Sequence, residues 1–398
     1  MANTQRVIIV GAGPVGLISA IRLSEAGIPT VLFEAGPGLP HDLRASTWHP
    51  PTLDMLQPYG LTDRLIEAGL VSPTWQIRDH ETGDRAVFDL SILSEETHHP
   101  YRLQCEQHKF GGFALDWLTR NGDTECHFSA KVTGVEQDAD GVIATVEIDG
   151  ATRQMPGAYL IAADGSKSTV RDEVGLKLSG KTYPETTFLA TTTFPFHDHL
   201  EGLSNVNYVW SKDGTFSLLR LPGVWRASLY PDEGETVEQA LTPAAMEAKL
   251  QRIVATPVPY EVLEVRPYRI HQRIVEDYRV GRILLAGDAA HLNSPSGGMG
   301  MNGGIHDAFC LTDLLIQVWR GADPGLLDRY VRQRRPIAES QILAQADRNR
   351  ARMQERDPER RRAHLAELQA IADDPVKSKG FLLRSSMIEG LRQAAAAN

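Results

Sequence analysis

A run of apolar, β-branched residues opens the patterned part of the chain and predicts a buried strand over 6–10. Apolar residues then recur at helical spacing from Leu17 to Glu25, and Gly27 is placed to end that helix. A second apolar run predicts another strand over 30–34. The order strand, helix, strand predicts a βαβ unit with parallel strands at the start of the chain.

After this unit the apolar positions switch between the strand period and the helix period. Alternation over about 72–98 predicts antiparallel strands. Further strands are expected at 131–136, 142–148, 158–162, 187–194, 208–210, 215–221, 225–230 and 283–286. Helices are expected at 106–120, 243–254 and 302–319. Charged helical sequence follows over 325–372, and residues 394–397 are expected to fray.

The charge balance narrows the classes of partner. Lys and Arg number 41 and Asp and Glu number 51, so the formal net charge is −10, which argues against nucleic acid because its binding needs clustered cations. No stretch holds the roughly 18 uncharged apolar residues of a membrane span. The three cysteines lack paired spacing, and the first residues do not resemble a signal peptide. We therefore expect a cytoplasmic protein without a metal site and without membrane partners.

A glycine string, GAGPVG from Gly11 to Gly16, lies between the first predicted strand and helix. Gly11 permits a tight turn, Gly13 lets the backbone approach a pyrophosphate, and Gly16 lets helix and strand pack closely. About 20 residues further on, Glu34 ends the second strand, where its carboxylate can accept hydrogen bonds from ribose hydroxyls. The complete βαβ context predicts a dinucleotide site for FAD or NAD.

A second string with the same glycine spacing runs from Gly298 to Gly303, but the sequence elements before and after it differ. The strand before it ends near Ala286, and no acidic strand end follows at the required distance, so we reject a second dinucleotide site. Asp288 follows that strand and is placed to bind a polyol or ribose hydroxyl. The helix after these glycines can direct its N-terminus at a flat ring that gains negative charge, such as a reduced flavin.

A third motif, DGSKSTVR, begins with Asp164 and Gly165 after the strand expected at 158–162. Taken alone it is a common turn, with Ser168 or Thr169 capping the next helix. Its place between the two glycine strings is what changes this interpretation.

The three motifs in this order resemble those of the single-component FAD-dependent aromatic hydroxylases, the family that contains p-hydroxybenzoate hydroxylase. The resemblance covers about residues 5–345. It implies an α/β fold in which an N-terminal Rossmann-type FAD-binding domain is interleaved with an α+β substrate domain. The implied parts are an FAD-binding domain of residues 1–72, 100–180 and 271–345, a substrate-binding β-sheet domain of residues 73–99 and 181–270, and a C-terminal helical segment of residues 346–398.

The resemblance also implies a tightly but non-covalently bound FAD and a transiently bound NADH or NADPH. The FAD pyrophosphate would lie at the first glycine string and the adenosine ribose on Glu34. The residues implied to contact FAD are Gly11, Gly13, Pro14, Val15, Gly16, Glu34, Arg44, Gln104, Val132, Asp164, Asp288, Pro295, Gly298, Gly300, Met301 and Asn302.

The implied reaction hydroxylates a small phenolic or hydroxypyridine-type aromatic with O2 through a flavin C4a-hydroperoxide, with decarboxylation or side-chain loss as variants. The catalytic candidates are His49, Tyr208 and Pro295. The candidates for substrate contact are Arg220, Arg226, Tyr230 and His271. Which residue acts as the base stays open.

Other functions stay open beside this one. A flavoprotein of the same fold could act on a larger polyketide- or quinone-type substrate, or bind flavin without turnover. An NAD-dependent dehydrogenase is disfavoured by the Gly287-Asp288 motif. Many members of the family are dimers, so a homodimer is compatible with the sequence.

Overall fold

The computed structural model describes residues 5–39, 45–295, 297–353 and 355–397. Within these ranges the strands form four sheets. The strands are β1 (Val7–Val10), β2 (Thr30–Phe33), β3 (Thr47–Trp48), β4 (Leu70–Ser72), β5 (Thr74–Asp79), β6 (Arg85–Asp89), β7 (Arg102–Gln104), β8 (Glu125–His127), β9 (Ala130–Gln137), β10 (Val142–Ile148), β11 (Ala151–Gly157), β12 (Tyr159–Ala162), β13 (Ser179–Thr192), β14 (Val206–Ser211), β15 (Gly214–Leu221), β16 (Val224–Leu229), β17 (Val262–Ile274), β18 (Arg279–Val280), β19 (Ile283–Leu285) and β20 (His291–Leu292). The α-helices are α1 (Pro14–Glu25), α2 (Pro50–Leu56), α3 (Leu61–Ala68), α4 (Gln107–Asn121), α5 (Thr169–Glu173), α6 (Phe196–His199), α7 (Val237–Ala240), α8 (Pro243–Ile253), α9 (Met299–Trp319), α10 (Asp328–Ile337), α11 (Ala344–Met353), α12 (Pro358–Ala372), α13 (Pro375–Ser385) and α14 (Ile388–Ala396).

The six-stranded sheet has the order β18-β19-β12-β1-β2-β8 and confirms the predicted βαβ unit. β1 pairs in parallel with both β2 and β12, and β19 pairs in parallel with β12. Every residue of these four strands is buried, as their unbroken apolar runs predict. Because parallel strands end at one edge, the residues that follow β1, β12 and β19 meet there. The three sequence motifs are the segments that follow these strands.

The eight-stranded sheet has the order β20-β17-β13-β16-β15-β14-β5-β6. One face packs against α6, α7 and α8, and Phe188, Leu218 and Trp225 lie in that core. Strand alternation and the cross-strand register place Tyr208 and Arg226 on the opposite face. Segments far apart in the chain thus build one sheet that positions both residues.

A small antiparallel sheet is formed by β3, β7 and β4, and it carries polar residues toward the site. Thr47 pairs with Gln104, and Trp48 pairs with Leu103. Trp48 and Leu103 are buried in the main hydrophobic core, so Thr47 and Gln104 face the other way.

The C-terminal helices α12, α13 and α14 pack against the strands that carry Trp75 and Trp210. The expected fraying of residues 394–397 is wrong, because α14 continues to Ala396 and buries Ala394. Gln333 of α10 also donates to the carbonyl oxygen of Ala397 at 2.9 Å. In the described part of the chain, no helix combines the length and apolar character that a bilayer crossing requires.

Among the elements that differ from the sequence expectations are α9, β13 and β11. α9 begins at Met299, earlier than expected, because Gly298 caps it in a left-handed conformation. β13 covers Ser179–Thr192 instead of 187–194, since the polar residues at its start pair with β17. The apolar pattern does not predict β11, whose sequence ATRQMPG is mostly exposed at the edge of a three-stranded sheet.

Candidate active site

The turn after β1 is built from backbone contacts that exclude side chains. Gly11 has a φ of +102°, and a Cβ added there would lie 2.4 Å from the carbonyl oxygen of Ala163. A Cβ on Gly16 would lie 1.9 Å from the carbonyl oxygen of Gly11. Gly13, by contrast, has no atom within 4 Å of its added Cβ and stands at the N-terminus of α1. The turn is therefore closed toward the sheet and open at the helix N-terminus.

Two carboxylates follow β2 and β12, the strands on either side of β1, at this edge. Glu34 accepts hydrogen bonds from the backbone N–H groups of Ala12 and Gly36, both at 2.8 Å. Asp164 accepts one from the N–H of Val170 at 3.2 Å, while its Oδ1 is buried without a hydrogen-bond partner. Burial raises the pKa of Asp164. Glu34 is thus fixed against the turn, and Asp164 keeps a free acceptor for a ligand.

The loop after β19 packs directly on the first glycine turn through Val15. A Cβ on Gly287 would lie 2.8 Å from Val15 Cγ2, and one on Gly304 would lie 2.7 Å from the same atom. Asp288 and Pro295 are exposed on this loop. The contact brings two of the sequence motifs together and leaves Asp288 and Pro295 accessible.

A buried charged network holds this loop in place. Asp307 of α9 accepts hydrogen bonds from Arg334 Nε at 2.7 Å and from the N–H of Gly287 at 3.2 Å, and lies 2.8 Å from His291 Nε2. Burial opposes ionisation of Asp307, but Arg334 and His291 lower its pKa to about 2. Asp307 is therefore a positioning residue for the loop.

Asn302 joins the start of α9 to the small sheet. Its amide nitrogen donates to the carbonyl oxygens of Thr47 and Gly298 at 2.9 and 2.7 Å, and its amide oxygen accepts from the N–H of His49 at 2.9 Å. Gly298 has a φ of +67°, and a Cβ there would lie 2.9 Å from the Cβ of Thr47. The side chain of Asn302 is engaged within the protein, so its contact with FAD would come from its backbone.

The small sheet gathers four polar side chains, which we call the polar face: Thr47, His49, Arg102 and Gln104. Thr47 Oγ1 donates to Gln104 Oε1 at 3.0 Å. The Nδ1 of His49, the Nε and Nη1 of Arg102 and the Nε2 of Gln104 are buried and lack hydrogen-bond partners among the described residues. Buried polar atoms in native proteins are nearly always paired, so this concentration marks a place where a ligand completes the bonding.

His49 is a neutral hydrogen-bond acceptor. Its Nε2 lies 2.8 Å from the carbonyl oxygen of Gly297, which can only accept, so Nε2 carries the ring proton. Burial and then the charge of Arg102 lower the pKa of His49 to about 3, and the bond to Gly297 opposes that shift. Nδ1 is consequently an unprotonated, unpaired acceptor.

Arg102 connects the polar face to an aromatic wall. Its guanidinium carbon lies 4.8 Å from the centroid of the Trp75 ring, and it hydrogen-bonds with Tyr208. Burial lowers the pKa of Arg102, and Tyr208 opposes that shift. Sequence reasoning missed Arg102, although its two-residue spacing from Gln104 in a strand was a signal that both face one side.

The eight-stranded sheet supplies the two remaining residues that approach this region. Tyr208 reaches Arg102, as described above, and Arg226 lies close enough to Glu106, just beyond β7, for its charge to lower the pKa of Glu106. Burial opposes ionisation of Glu106, but Lys109 and Arg226 lower its pKa. The structure therefore brings together His49, Tyr208 and Arg226 of the sequence candidates.

Three other candidates lie apart from this group. Arg220 is on the opposite face of the sheet, where its Nη2 is 3.0 Å from Nε2 of His197. His271 Nδ1 is 3.0 Å from Thr182 Oγ1 on β13, and β17 is separated from β14 by three strands. Burial, together with nearby arginines, lowers the pKa of His271. Tyr230 follows the end of β16 and is half-buried.

The remaining residues implied to contact FAD differ in accessibility. Val132 is buried in the main core, which leaves only its backbone for such a contact. Pro14 is the first residue of α1, and Gly300 and Met301 lie in the first turn of α9. Arg44 lies outside the described residues.

These features fit FAD. The open space at Gly13 and the N-terminus of α1 suit a pyrophosphate, and Asp164 and Asp288 offer acceptors for sugar or ribityl hydroxyls. The unpaired amide N–H groups of Gln104 and the N-terminus of α9 suit the polar edge of an isoalloxazine ring.

Known proteins share both the sequence and the fold. The model of the FAD binding domain family matches residues 4–345. The chain is 33% identical over 399 residues to para-nitrophenol 4-monooxygenase of Pseudomonas sp. (strain WBC-3), covering 98% of both proteins. It is 33% identical over 337 residues to 6-hydroxy-3-succinoylpyridine 3-monooxygenase of Pseudomonas putida, covering 84% of this chain and 85% of that protein.

Among solved structures, p-nitrophenol 4-monooxygenase from Pseudomonas putida DLL-E4 matches with a TM-score of 0.91 at 29% identity, over 98% of this chain and 99% of that one. Aklavinone-11 hydroxylase, solved as a ternary complex with FAD and aklavinone, matches with a TM-score of 0.78 at 25% identity, over 89% of this chain and 70% of that one. This chain therefore belongs to the FAD-dependent aromatic monooxygenases.

Proposed function

We propose that this protein uses FAD, NAD(P)H and O2 to hydroxylate a small phenolic or hydroxypyridine-type ring. The observation that carries the proposal is the polar face, where buried nitrogen atoms of His49 and Arg102 lack partners among the described residues, beside the loop that precedes α9. A small aromatic ring with an oxygen substituent supplies the missing donors and acceptors while keeping the pocket apolar elsewhere.

FAD, when bound, takes up a hydride from the nicotinamide and activates O2 for transfer to the aromatic ring. The chain's own part is to hold the cofactor. The turn from Gly11 to Gly16 would hold the pyrophosphate, Glu34 the adenosine ribose and Asp288 the ribityl chain. The backbone of residues 297–302 would lie along the flavin ring.

The residues around the polar face would orient the substrate and exclude water. His49 Nδ1 is a neutral acceptor and would receive a hydrogen bond from a ring hydroxyl that keeps its proton, whereas an ionised ring oxygen would lie at a donor. With a pKa of about 3, His49 holds this hydrogen bond without storing a proton near neutral pH. Tyr208 would contact the substrate oxygen, and buried Trp75 would keep water from the reacting ring.

The two relatives that match over most of both chains are named for small aromatics, which favours a small substrate over the larger polyketide-type alternative. This chain covers 98% of para-nitrophenol 4-monooxygenase, but 60% of 6-methylpretetramide 4-monooxygenase of Streptomyces rimosus at 32% identity. Pentachlorophenol 4-monooxygenase of Sphingobium chlorophenolicum, at 29% identity over 337 residues, is another relative named for a phenol. We therefore favour a monocyclic phenol or hydroxypyridine.

The test is consumption of NADH and NADPH by the FAD-loaded protein with a panel of nitrophenols, chlorophenols, hydroxybenzoates and hydroxypyridines. We expect one ring to raise the rate at least about tenfold and to yield a product heavier by one oxygen atom from O2. A protein that holds FAD but oxidises NAD(P)H equally with and without every ring would contradict the proposal and favour a non-catalytic flavoprotein.

With this function we propose a small aromatic compound and O2 as substrates, a homodimer as the oligomeric state, and neither nucleic acid nor membrane as a partner. The proposed location is the cytoplasm, where NAD(P)H is available. The net charge of −10 supports the absence of nucleic acid. Light scattering on a purified sample would give the mass in solution, and a mass equal to one chain would exclude the dimer.

A further inference from the structure

Arg102 is a buried cation without a carboxylate partner in the described structure. Arg102 belongs to the polar face and is 2% exposed. Its Nε and Nη1 make no hydrogen bond with the described residues. A guanidinium group stays charged even when burial lowers its pKa, and an uncompensated buried charge is costly. The fold therefore keeps an energetically costly buried charge at this position.

Other buried arginines of this chain show what a purely structural arginine looks like. Arg334 donates to the Asp307 carboxylate at 2.7 Å. Arg361 donates to the carbonyl oxygen of Ser211 at 2.6 Å and to that of Glu355 at 2.5 Å. Arg102 has Tyr208 and the face of Trp75 instead, and its Nε and Nη1 reach no carboxylate or carbonyl oxygen of the described residues. The contrast indicates that an anion from outside the chain completes the site.

The geometry restricts what that anion can be. The guanidinium lies on the Trp75 ring, beside Tyr208 and close enough to His49 for its charge to lower the pKa of His49. An aromatic surface below and polar atoms beside the cation suit a flat ring that carries an oxygen anion. A guanidinium group binds such an anion through paired N–H donors.

We infer that Arg102 binds an anionic oxygen group of the aromatic substrate, a phenolate or a ring carboxylate, and so selects ionised rings over neutral ones of the same shape. This inference rests on the proposed function for the identity of the ligand as a substrate. Arg102 would then set specificity, and Tyr208 would orient its guanidinium group.

The first test measures binding without turnover. FAD-loaded protein, without nicotinamide, is titrated by equilibrium dialysis with two matched pairs of ligands. The pairs are 4-nitrophenol with 4-nitroanisole, and 4-hydroxybenzoate with its methyl ester. Each pair is measured at a pH above the pKa of its acidic member. We expect the anion of at least one pair to bind roughly 10- to 100-fold more tightly than its neutral partner. Arg102→Met should remove that preference, and Arg102→Lys should keep part of it because it retains the charge.

A second readout is independent of affinity. 4-Nitrophenol absorbs visible light as the phenolate, so difference spectra against the same holoenzyme report its ionisation in the site. We expect bound 4-nitrophenol to lose its proton to solvent at a pH about one unit lower than the free compound, a tenfold shift of the equilibrium. Arg102→Met should abolish this shift, and Tyr208→Phe should reduce it.

The control is a second buried arginine on β5. Arg78 is 4% exposed and its Nη1 donates to the carbonyl oxygen of Glu201 at 3.2 Å. By strand alternation it faces away from Trp75. Arg78→Met should leave the anion preference unchanged, and the flavin spectrum checks that each variant is folded and loaded.

The outcomes separate the two proposals. If no anion binds more tightly than its neutral partner, or if Arg102→Met and Arg102→Lys keep the preference with FAD bound, the inference about Arg102 is wrong, whatever the turnover. If the preference depends on Arg102 but no ring stimulates NAD(P)H oxidation, the anion site stands as a binding site and the proposed hydroxylation fails.

Discussion

The two glycine strings of this chain have the same glycine spacing but different structural roles. At Gly11 to Gly16 the glycines let a parallel strand turn into a helix, and a methyl group on Gly16 would collide with the Gly11 carbonyl oxygen at 1.9 Å. At Gly298 to Gly303 the preceding strand, β20, belongs to the other large sheet. There Gly298 caps α9 and packs on Thr47 of the small sheet.

The difference teaches that a glycine pattern takes its meaning from the element before it. The first string has a helix N-terminus beside open space, which is the geometry of a phosphate site. The second is held by its own Asn302 and by residues from distant segments, among them His49. The first loop is therefore specified locally, whereas the second depends on distant residues.

The sharpest way to break the first loop is Gly16→Ala. Because the added methyl group meets backbone, we expect the free energy of unfolding to fall by more than about 3 kcal/mol and bound FAD to be nearly lost. The matched variant Gly13→Ala has free space and should keep the thermal stability of the FAD-free protein while weakening FAD binding. Thermal unfolding and flavin content measure the two effects. Equal losses in both variants would contradict the distinction.

The next largest effect should come from Asp307→Asn, which breaks the network that holds the second loop. Removing one partner of a buried ion pair should cost about 3 kcal/mol at neutral pH. The pKa of Asp307 is lowered from 3.8 to about 2, so its stabilising effect is complete above about pH 4 and is lost as the pH falls toward 2. Urea unfolding near pH 7 and near pH 3 should show the gap between wild type and variant shrinking; a constant gap would speak against this account.

Gly298→Ala tests whether the second loop is limited by sterics or by backbone conformation. We expect a loss of about 2 kcal/mol, because a left-handed φ of +67° is combined with a contact of 2.9 Å to Thr47. Gly83 has a φ of +76° and no atom within 4 Å of an added Cβ, so Gly83→Ala should cost only about 1 kcal/mol. Chemical denaturation compares them, and equal costs would mean that conformation alone matters.

The smallest effect near neutral pH concerns His49, because the consequence of its burial appears only in acid. Its pKa is lowered from 6.5 to about 3, so neutral His49 stabilises the fold above pH 6.5, and this contribution is lost as the pH falls. We expect His49→Gln to match wild type near neutral pH, and wild type to lose up to about 1.4 kcal/mol per pH unit more than the variant between pH 6 and 4. Denaturation curves across that range test this, and parallel curves would mean that His49 is not kept neutral by burial.

The sequence was sufficient for the first loop because every constraint there is local. Apolar runs mark the parallel strands, and Gly11, Gly16 and Glu34 follow at the required spacing. The motif order also identified the family, which the match over residues 4–345 confirms. The assignment of individual residues to FAD or substrate stays a prediction.

The polar face could not be derived in the same way. Arg102 and Trp75 meet only because β5 and β6 join a sheet whose other strands begin at Ser179. Arg220 and Arg226 have similar surroundings in the sequence, but they lie on opposite faces of the sheet because they are on different strands with different registers. Pairing over such distances leaves no periodic signal, so sequence reasoning could name arginines but could not choose among them.

The eight-stranded sheet is formed by strands from separate segments of the chain, and this has a consequence for synthesis on the ribosome. Gln76 of β5 hydrogen-bonds with Asn207 of β14, 131 residues later. At translation rates of about 5–20 residues per second, β14 is synthesised on the order of ten seconds after the β5–β6 hairpin. The edge of β5 that pairs with β14 stays unpaired during this time. During that interval Trp75 and Phe88, buried in the finished protein, are exposed to other chains. Chaperone supply and expression temperature should therefore govern the yield of this protein more than its final stability does.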